Sequence, residues 1–186
     1  MSEVGSGVNF SVLDSLFLIL IIMIILIIGL PGSGKSYFAR HLSRHLNFRY
    51  IGSDQTRKEM EVMGQYGPKD KEEVYEQMKF QAETVIREGK DLVLDATFYK
   101  KSIRDPFASL AQQQQVPWAL IWVEAGEGLI RKRLSKKRED SEADYGVYLK
   151  LKEEFEPPLG PHLKLISKSD NISDMLHEAE KYLRQL

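Results

Sequence analysis

LILIIMIILIIGLPGSGKSYF, residues 18–38, sets a run of aliphatic side chains directly before a glycine loop that ends in Lys35 and Ser36. The apolar run is unbroken from Leu16 to Ile28, thirteen residues, seven of them isoleucine. As a helix it would span roughly 20 Å at about 1.5 Å per residue, short of a hydrocarbon core of about 30 Å. Asp14 and Ser15 limit it upstream, Gly29 and Pro31 downstream. No basic residue precedes the run and no A-x-A-like site follows it, so a signal peptide does not fit. Isoleucine favours extended chain, and an unalternating apolar run marks a strand buried on both faces. Thirteen residues exceed the usual strand length of about 5–6, so the strand proper is assigned to Ile24–Ile28. Residues 1–22 are then an N-terminal extension or an artefact, with Met23 a candidate natural start. Residues 23–186 form a single domain, and no stable membrane association is expected.

The rest of the composition agrees with a soluble α/β protein. The chain has 186 residues, enough for one domain with an ample core. It is 42% hydrophobic and 28% charged, with a net charge of −1, so no global field recruits nucleic acid or anionic lipid. It contains no cysteine, which removes disulfides and thiolate metal sites and suits a cytoplasmic location.

Strand-like and helix-like segments alternate after the glycine loop. Lys35–Leu46 reads as a helix with Phe38, Leu42 and Leu46 on one face, followed by a short extended stretch at Arg49–Ser53. Lys71–Glu88 reads as a long amphipathic helix, with Asp70 as N-cap and Gly89 as its stop. Further strands are expected at Asp91–Asp95, Trp118–Glu124 and Leu163–Ser167, and helices at Ser102–Gln112 and Ile172–Leu186. Glu127–Arg138 and Ser141–Glu156 read as a helical pair ended by Pro157 and Pro158. Such alternation means a mostly parallel sheet flanked by helices.

GLPGSGKS, Gly29–Ser36, fits the pattern G-x-x-x-x-G-K-[ST]. Between a buried strand and a helix, such a loop wraps phosphates with successive backbone N–H groups, aided by the helix N-terminus. The candidate nucleotide-binding residues are Gly29, Pro31, Gly32, Ser33, Gly34, Lys35, Ser36 and Tyr37. Lys35 is placed to reach the β and γ phosphates, and the Ser36 hydroxyl to ligate Mg²⁺. Asp95, at the end of DLVLDATF (91–98), is a second metal candidate. Ala96 follows it where mechanical ATPases put a water-activating glutamate, which favours transfer to an acceptor over hydrolysis. In GSDQTRKEM (52–60), Asp54 and Arg57 fall on one side of a helical first turn. Asp54 can take the proton of an acceptor hydroxyl, or merely cap that helix, and Arg57 can bind an anionic acceptor group. RKRLSKKRED (131–140) carries six basic residues between Arg131 and Arg138. It reads as a solvated helix face, a nucleic-acid patch, or a lid whose arginines neutralise a transferring group.

GLPGSGKS, SDQTR, LVLDATFYKKSIR and RKRLSKKRE followed by SEADYGVYLKLKEEFEP, in that order, resemble the AAA_33-type P-loop kinases. That group is similar to polynucleotide 5′-hydroxyl kinases and, more remotely, to zeta toxins and small-molecule kinases such as those for gluconate and shikimate. The resemblance runs from residue 23 to about 180. It implies a P-loop NTPase fold of nucleoside-monophosphate-kinase type, with a five-stranded parallel sheet and a helical lid at about 127–156. It also implies that Asp54 is the general base and Arg57 a substrate-phosphate ligand, with Asp95 the metal-side carboxylate. Thr97 and Arg104 belong to an acceptor-side element, and Arg133 and Arg138 stand at lid-arginine positions, where Lys137 competes. Phe98 stands where many members have asparagine, and residues 1–22 have no counterpart.

The reading is an ATP- and Mg²⁺-dependent kinase acting on a hydroxyl of a nucleic-acid 5′ end, a nucleoside or a small metabolite. The alternative is an ATP-binding or hydrolysing switch with no phosphoryl acceptor. By analogy of fold, Ser167–Asp170 is expected on the adenine side.

Overall fold

The computed structural model of the chain describes residues 22–65, 67–135 and 143–186. Five strands form one sheet: β1 (Ile24–Ile28), β2 (Arg49–Gly52), β3 (Leu92–Asp95), β4 (Trp118–Glu124) and β5 (Leu163–Ile166). Every pairing is parallel and the order is β2-β3-β1-β4-β5, so the strand feeding the glycine loop lies at the centre. All five β1 side chains are fully buried, and they divide between the two faces. Ile24, Leu26 and Ile28 meet α3 (Pro68–Arg87) and α4 (Lys101–Gln113) through Val74, Met78, Phe107 and Leu110. Ile25 and Ile27 meet α1 (Lys35–Leu46) and α7 (Ile172–Leu183) through Phe38, Leu42, Met175 and Ala179. Burial on both sides is why the strand shows no alternation. Of the Leu16–Ile28 run, only 22–28 falls within the described residues. Among the described residues, no helix is long and apolar enough to cross a membrane.

Element boundaries differ from expectation mainly at helix starts. The long helix begins at Pro68, with Gly67 as its N-cap, because the Asp70 carboxylate turns back and accepts the Gly67 N–H at 2.8 Å. Asp70 therefore completes the first turn instead of preceding it. The helix ends at Arg87 and Gly89 follows with φ 72°, the left-handed conformation that stops it. A short helix, α2 (Ser53–Glu59), starts directly at the end of β2. The expected helical pair appears as α5 (Glu127–Leu134) and α6 (Tyr145–Glu153), joined by a small apolar contact among Ile130, Leu134 and Tyr148. Residues 136–142 between them, including Lys137 and Arg138, lie outside the described residues.

Candidate active site

The glycine loop joins the C-terminal end of β1 to α1, whose first residue is Lys35. Neighbouring strands press on this loop closely enough to dictate its residues. A Cβ on Gly29 would collide with the Val123 carbonyl oxygen of β4. Gly34 has φ 93°, and a Cβ there would lie 2.7 Å from Ser167 Oγ and 3.1 Å from Arg133 Nη1. Ser33 is buried, with its Oγ 3.4 Å from the Lys35 N–H. Tyr37, by contrast, is 58% exposed on α1, its ring against His41 at a centroid distance of 4.2 Å.

Asp95 is the last residue of β3, in register with Ile27 of β1 and Gly52 of β2. Its carboxylate is held from the side by Tyr50, whose hydroxyl donates to Oδ2 at 2.7 Å. The other oxygen, Oδ1, is buried with no hydrogen-bond partner among the described residues. A buried carboxylate oxygen without a partner is costly unless something not in the chain uses it. Burial first, then the Asp95 charge, pushes the Tyr50 hydroxyl far above its ordinary range, so it stays a donor. A Cβ at Gly52 would press on the hydroxyl end of the same tyrosine and displace it. No signal in the sequence tied Tyr50 to Asp95; the pair exists because β2 and β3 are neighbours.

On the other side of the loop a cavity of about 260 Å³ opens, bordered by Pro31, Lys35, Asp54, Arg57 and Thr97. Five of the sequence candidates thus surround one space. Asp54 lies in the first turn of α2, but Gly52 is that helix's N-cap and no side chain bonds its free N–H groups. Asp54 is therefore not the cap. Burial raises its carboxyl above the ordinary carboxylate range; Lys35 opposes that rise, Asp95 adds to it, and Arg57 opposes it. Arg57 is itself buried and stands 3.5 Å from Asp54, a loose ion pair. The far wall is made of residues that the sequence reading did not single out: Lys71 and Tyr75 of α3, Tyr99, and Val147, Lys150 and Leu151 of α6. The i, i+4 spacing of Lys71 and Tyr75 on one helix face was the available clue.

Two candidates, Arg104 and Arg133, stand elsewhere. Arg104 does not border the cavity. It is buried in α4 and donates from Nη1 to the Phe98 carbonyl at 2.8 Å, bracing the loop that carries Thr97 and Tyr99. Phe98 has φ 45°, a left-handed conformation uncommon for a bulky residue. Its ring is buried between Phe107 and Tyr75, away from the cavity. Arg133 lies behind the glycine loop. Its Nη1 donates to the Gly32 and Ser33 carbonyls at 3.2 and 3.1 Å, and its Nη2 to Ser167 Oγ and the Lys168 carbonyl at 3.1 and 2.8 Å. It thereby ties the phosphate loop to the turn after β5.

A central strand running into a lysine-terminated glycine loop, with an aspartate closing the adjacent strand, defines a P-loop NTPase fold of the kinase type. The AAA_33 family, described as an AAA domain, matches residues 24–158, and the chain belongs to that family. A search of curated protein sequences returns no match. Among solved structures the chain is similar to the Mycobacterium tuberculosis APS kinase CysC in complex with AMPPNP and APS. That likeness has a TM-score of 0.69 at 17% identity, over 88% of this chain and 98% of that one. It is also similar to a gluconokinase from Sinorhizobium meliloti 1021, with TM-score 0.66 and 15% identity over 89% and 93% of the two chains. Chaetomium thermophilum Kti12 in complex with ADP-AlF3 matches with TM-score 0.65 and 18% identity over 85% and 97%. These likenesses establish the fold.

Proposed function

We propose that the protein transfers the γ-phosphoryl group of ATP, with Mg²⁺, to a hydroxyl of an acceptor held in the cavity beside Asp54. The observation that carries this reading is the half-buried Asp54 carboxyl, raised above its ordinary range and bordering the same cavity as Lys35. A carboxylate made more basic by burial is suited to draw a proton from a hydroxyl. During transfer the acceptor oxygen bonds to the γ-phosphorus as the bond from that phosphorus to the β–γ bridging oxygen breaks. The acceptor proton passes to Asp54, and ADP leaves with the bridging electron pair. Lys35 offsets charge on the β and γ oxygens, and Thr97, braced through Arg104, borders the acceptor. The unpartnered Asp95 Oδ1 and the Ser36 hydroxyl fit Mg²⁺, which keeps several waters and needs few protein ligands. Bound there, the metal would spread charge over the phosphate oxygens. Arg133 and Ser167–Asp170 border the side of the loop where the base would lie. The reading includes the cytoplasmic location expected from the sequence.

A radiolabelled-ATP screen over nucleic-acid 5′-hydroxyl ends, nucleosides and polyols, each with the parent and Asp54→Asn, tests it. Asp54→Asn should lower transfer by about 10²–10⁴-fold while leaving ATP affinity nearly unchanged. If ATP is hydrolysed equally with and without every acceptor, and Asp54→Asn does not alter that rate, the protein is a switch or hydrolase and the kinase reading fails.

A further inference from the structure

Three cations from three helices meet in the acceptor cavity: Arg57 of α2, Lys71 in the first turn of α3, and Lys150 of α6. Among the described residues, the acids that bear on these cations include Asp54 and Glu154. Asp54 stands against Arg57 at 3.5 Å, and Glu154 is engaged by Lys100 at 3.0 Å. Burial, and next the Lys150 charge, lowers the Lys71 ammonium below its ordinary range, with Glu154 opposing and Arg57 and Lys100 adding. The charges around the cavity are also ordered. Lys35, Asp95, Arg57 and Arg40 act on Asp54, whereas Lys150, Glu154, Arg57 and Lys100 act on Lys71. Arg57 is common to both sets, so the cavity has a nucleotide end at Lys35 and Asp54 and a cationic end at Lys71 and Lys150.

We infer that this cationic end is an anion subsite selecting a small acceptor that carries a phosphate or another compact anionic group, its hydroxyl turned to Asp54. The inference rests on the transfer reading for the role of the bound molecule, but not for its binding. Like charges gathered in one partly buried space repel, and an anion relieves them. Lys71 is braced for this, its Nζ lying 5.6 Å from the Tyr99 ring centre, with Lys100 on the same ring at 5.3 Å. Between the two ends the walls are aromatic and aliphatic, from Tyr75, Tyr99, Val147 and Leu151, suited to a carbon skeleton. A polynucleotide fits less well. Glu154 acts on Lys71 and pairs with Lys100 at 3.0 Å, so this end also carries an acid, which disfavours a run of phosphates. The cavity of about 260 Å³ also has the size of a metabolite.

The test uses the full chain saturated with AMPPNP and Mg²⁺, so that added anions do not compete for the phosphate loop. Glucose 6-phosphate, ribose 5-phosphate and gluconate are titrated calorimetrically against uncharged glucose and ribose, with a 5′-hydroxyl oligodeoxynucleotide as a further arm. At least one anionic sugar should bind and its parent should not, the phosphate and carboxylate arms identifying which anion is preferred. Lys71→Gln/Lys150→Gln should weaken that binding about 10–100-fold, and Lys150→Arg should retain it. The double variant should unfold close to the parent without ligand, since relief of the repulsion between the two lysines offsets the lost contact of Lys71 with Tyr99 and the lost attraction to Glu154. Binding of no anion, equal binding of uncharged sugars, unchanged binding in the double variant, or tighter binding of the oligonucleotide overturns the subsite. Labelled transfer measured alongside separates the two readings. Lysine-dependent binding with no phosphate leaving ATP keeps the subsite and removes the kinase. Transfer to neutral acceptors, unaltered in the double variant, does the reverse.

Discussion

Tyr50→Phe removes one oxygen from the protein, and the structure says what that oxygen holds. The Tyr50 hydroxyl donates to Asp95 Oδ2 at 2.7 Å, and Asp95 is 3% exposed with Oδ1 already lacking a partner among the described residues. The variant therefore leaves a buried carboxylate without its hydrogen bond from Tyr50. A hydrogen bond to a charged group is worth about 1.5–3 kcal/mol. In a domain of this size each kcal/mol moves the unfolding midpoint by about 2–4 °C, so a fall of about 3–12 °C is expected without nucleotide. Because the loss runs through Asp95, Asp95→Asn and the double variant should show a coupling of about 1 kcal/mol or more in a double-mutant cycle. A carboxylate no longer held in place should also bind metal more weakly. Loss of such a supporting partner typically costs about 10–100-fold in metal affinity or activity, read here as the Mg²⁺ concentration at half-saturation of nucleotide binding. Additive stability changes together with an unmoved Mg²⁺ midpoint would refute the claim that Tyr50 orients Asp95 toward a metal.

Asp54→Asn should stabilise the fold near neutral pH, because burial disfavours the charged carboxylate. A raised folded-state carboxyl contributes stability below the unfolded value of about 3.9 that is lost as pH climbs through the raised value. The variant's gain should accordingly shrink as pH falls toward that value, and a thermal melt series over pH that shows no such trend contradicts it. Lys35→Ala should barely change the unliganded melting midpoint and should cut transfer by orders of magnitude, since its contact strengthens as charge develops; a large stability loss with normal turnover would take Lys35 out of the site. A chain beginning at Met23 should fold and bind ATP as the full chain does. Met23 already docks at the edge of the core, its N–H donating to Asp91 Oδ1 at 2.9 Å and its carbonyl accepting the Leu92 N–H at 2.9 Å. Aggregation or loss of nucleotide binding would make residues 1–22 part of the fold.

The fold was legible along the chain because local pattern and tertiary role coincide. Ile24–Ile28 reads as a doubly buried strand and is one; Lys35–Leu46 and Trp118–Glu124 appear within the bounds that periodicity suggests. The phosphate loop is legible for the same reason, since consecutive residues perform its whole task. Asp54, Arg57 and Thr97 could be named from their motifs, but their meeting with Lys35 around one cavity depends on the β2-β3-β1 order, which no local spacing encodes. Arg133 and Arg104 carry the same charge in the sequence and differ in what surrounds them. One is drawn to the carbonyls behind the glycine loop, the other is buried beneath Phe98. Tyr50 on Asp95, and Lys71 with Lys150, join residues 45 and 79 positions apart. Side chains of that separation acquire a shared chemistry only when parallel strands and packed helices bring them together, because hydrogen bonds and local electrostatics act over a few ångströms of space and not along the chain.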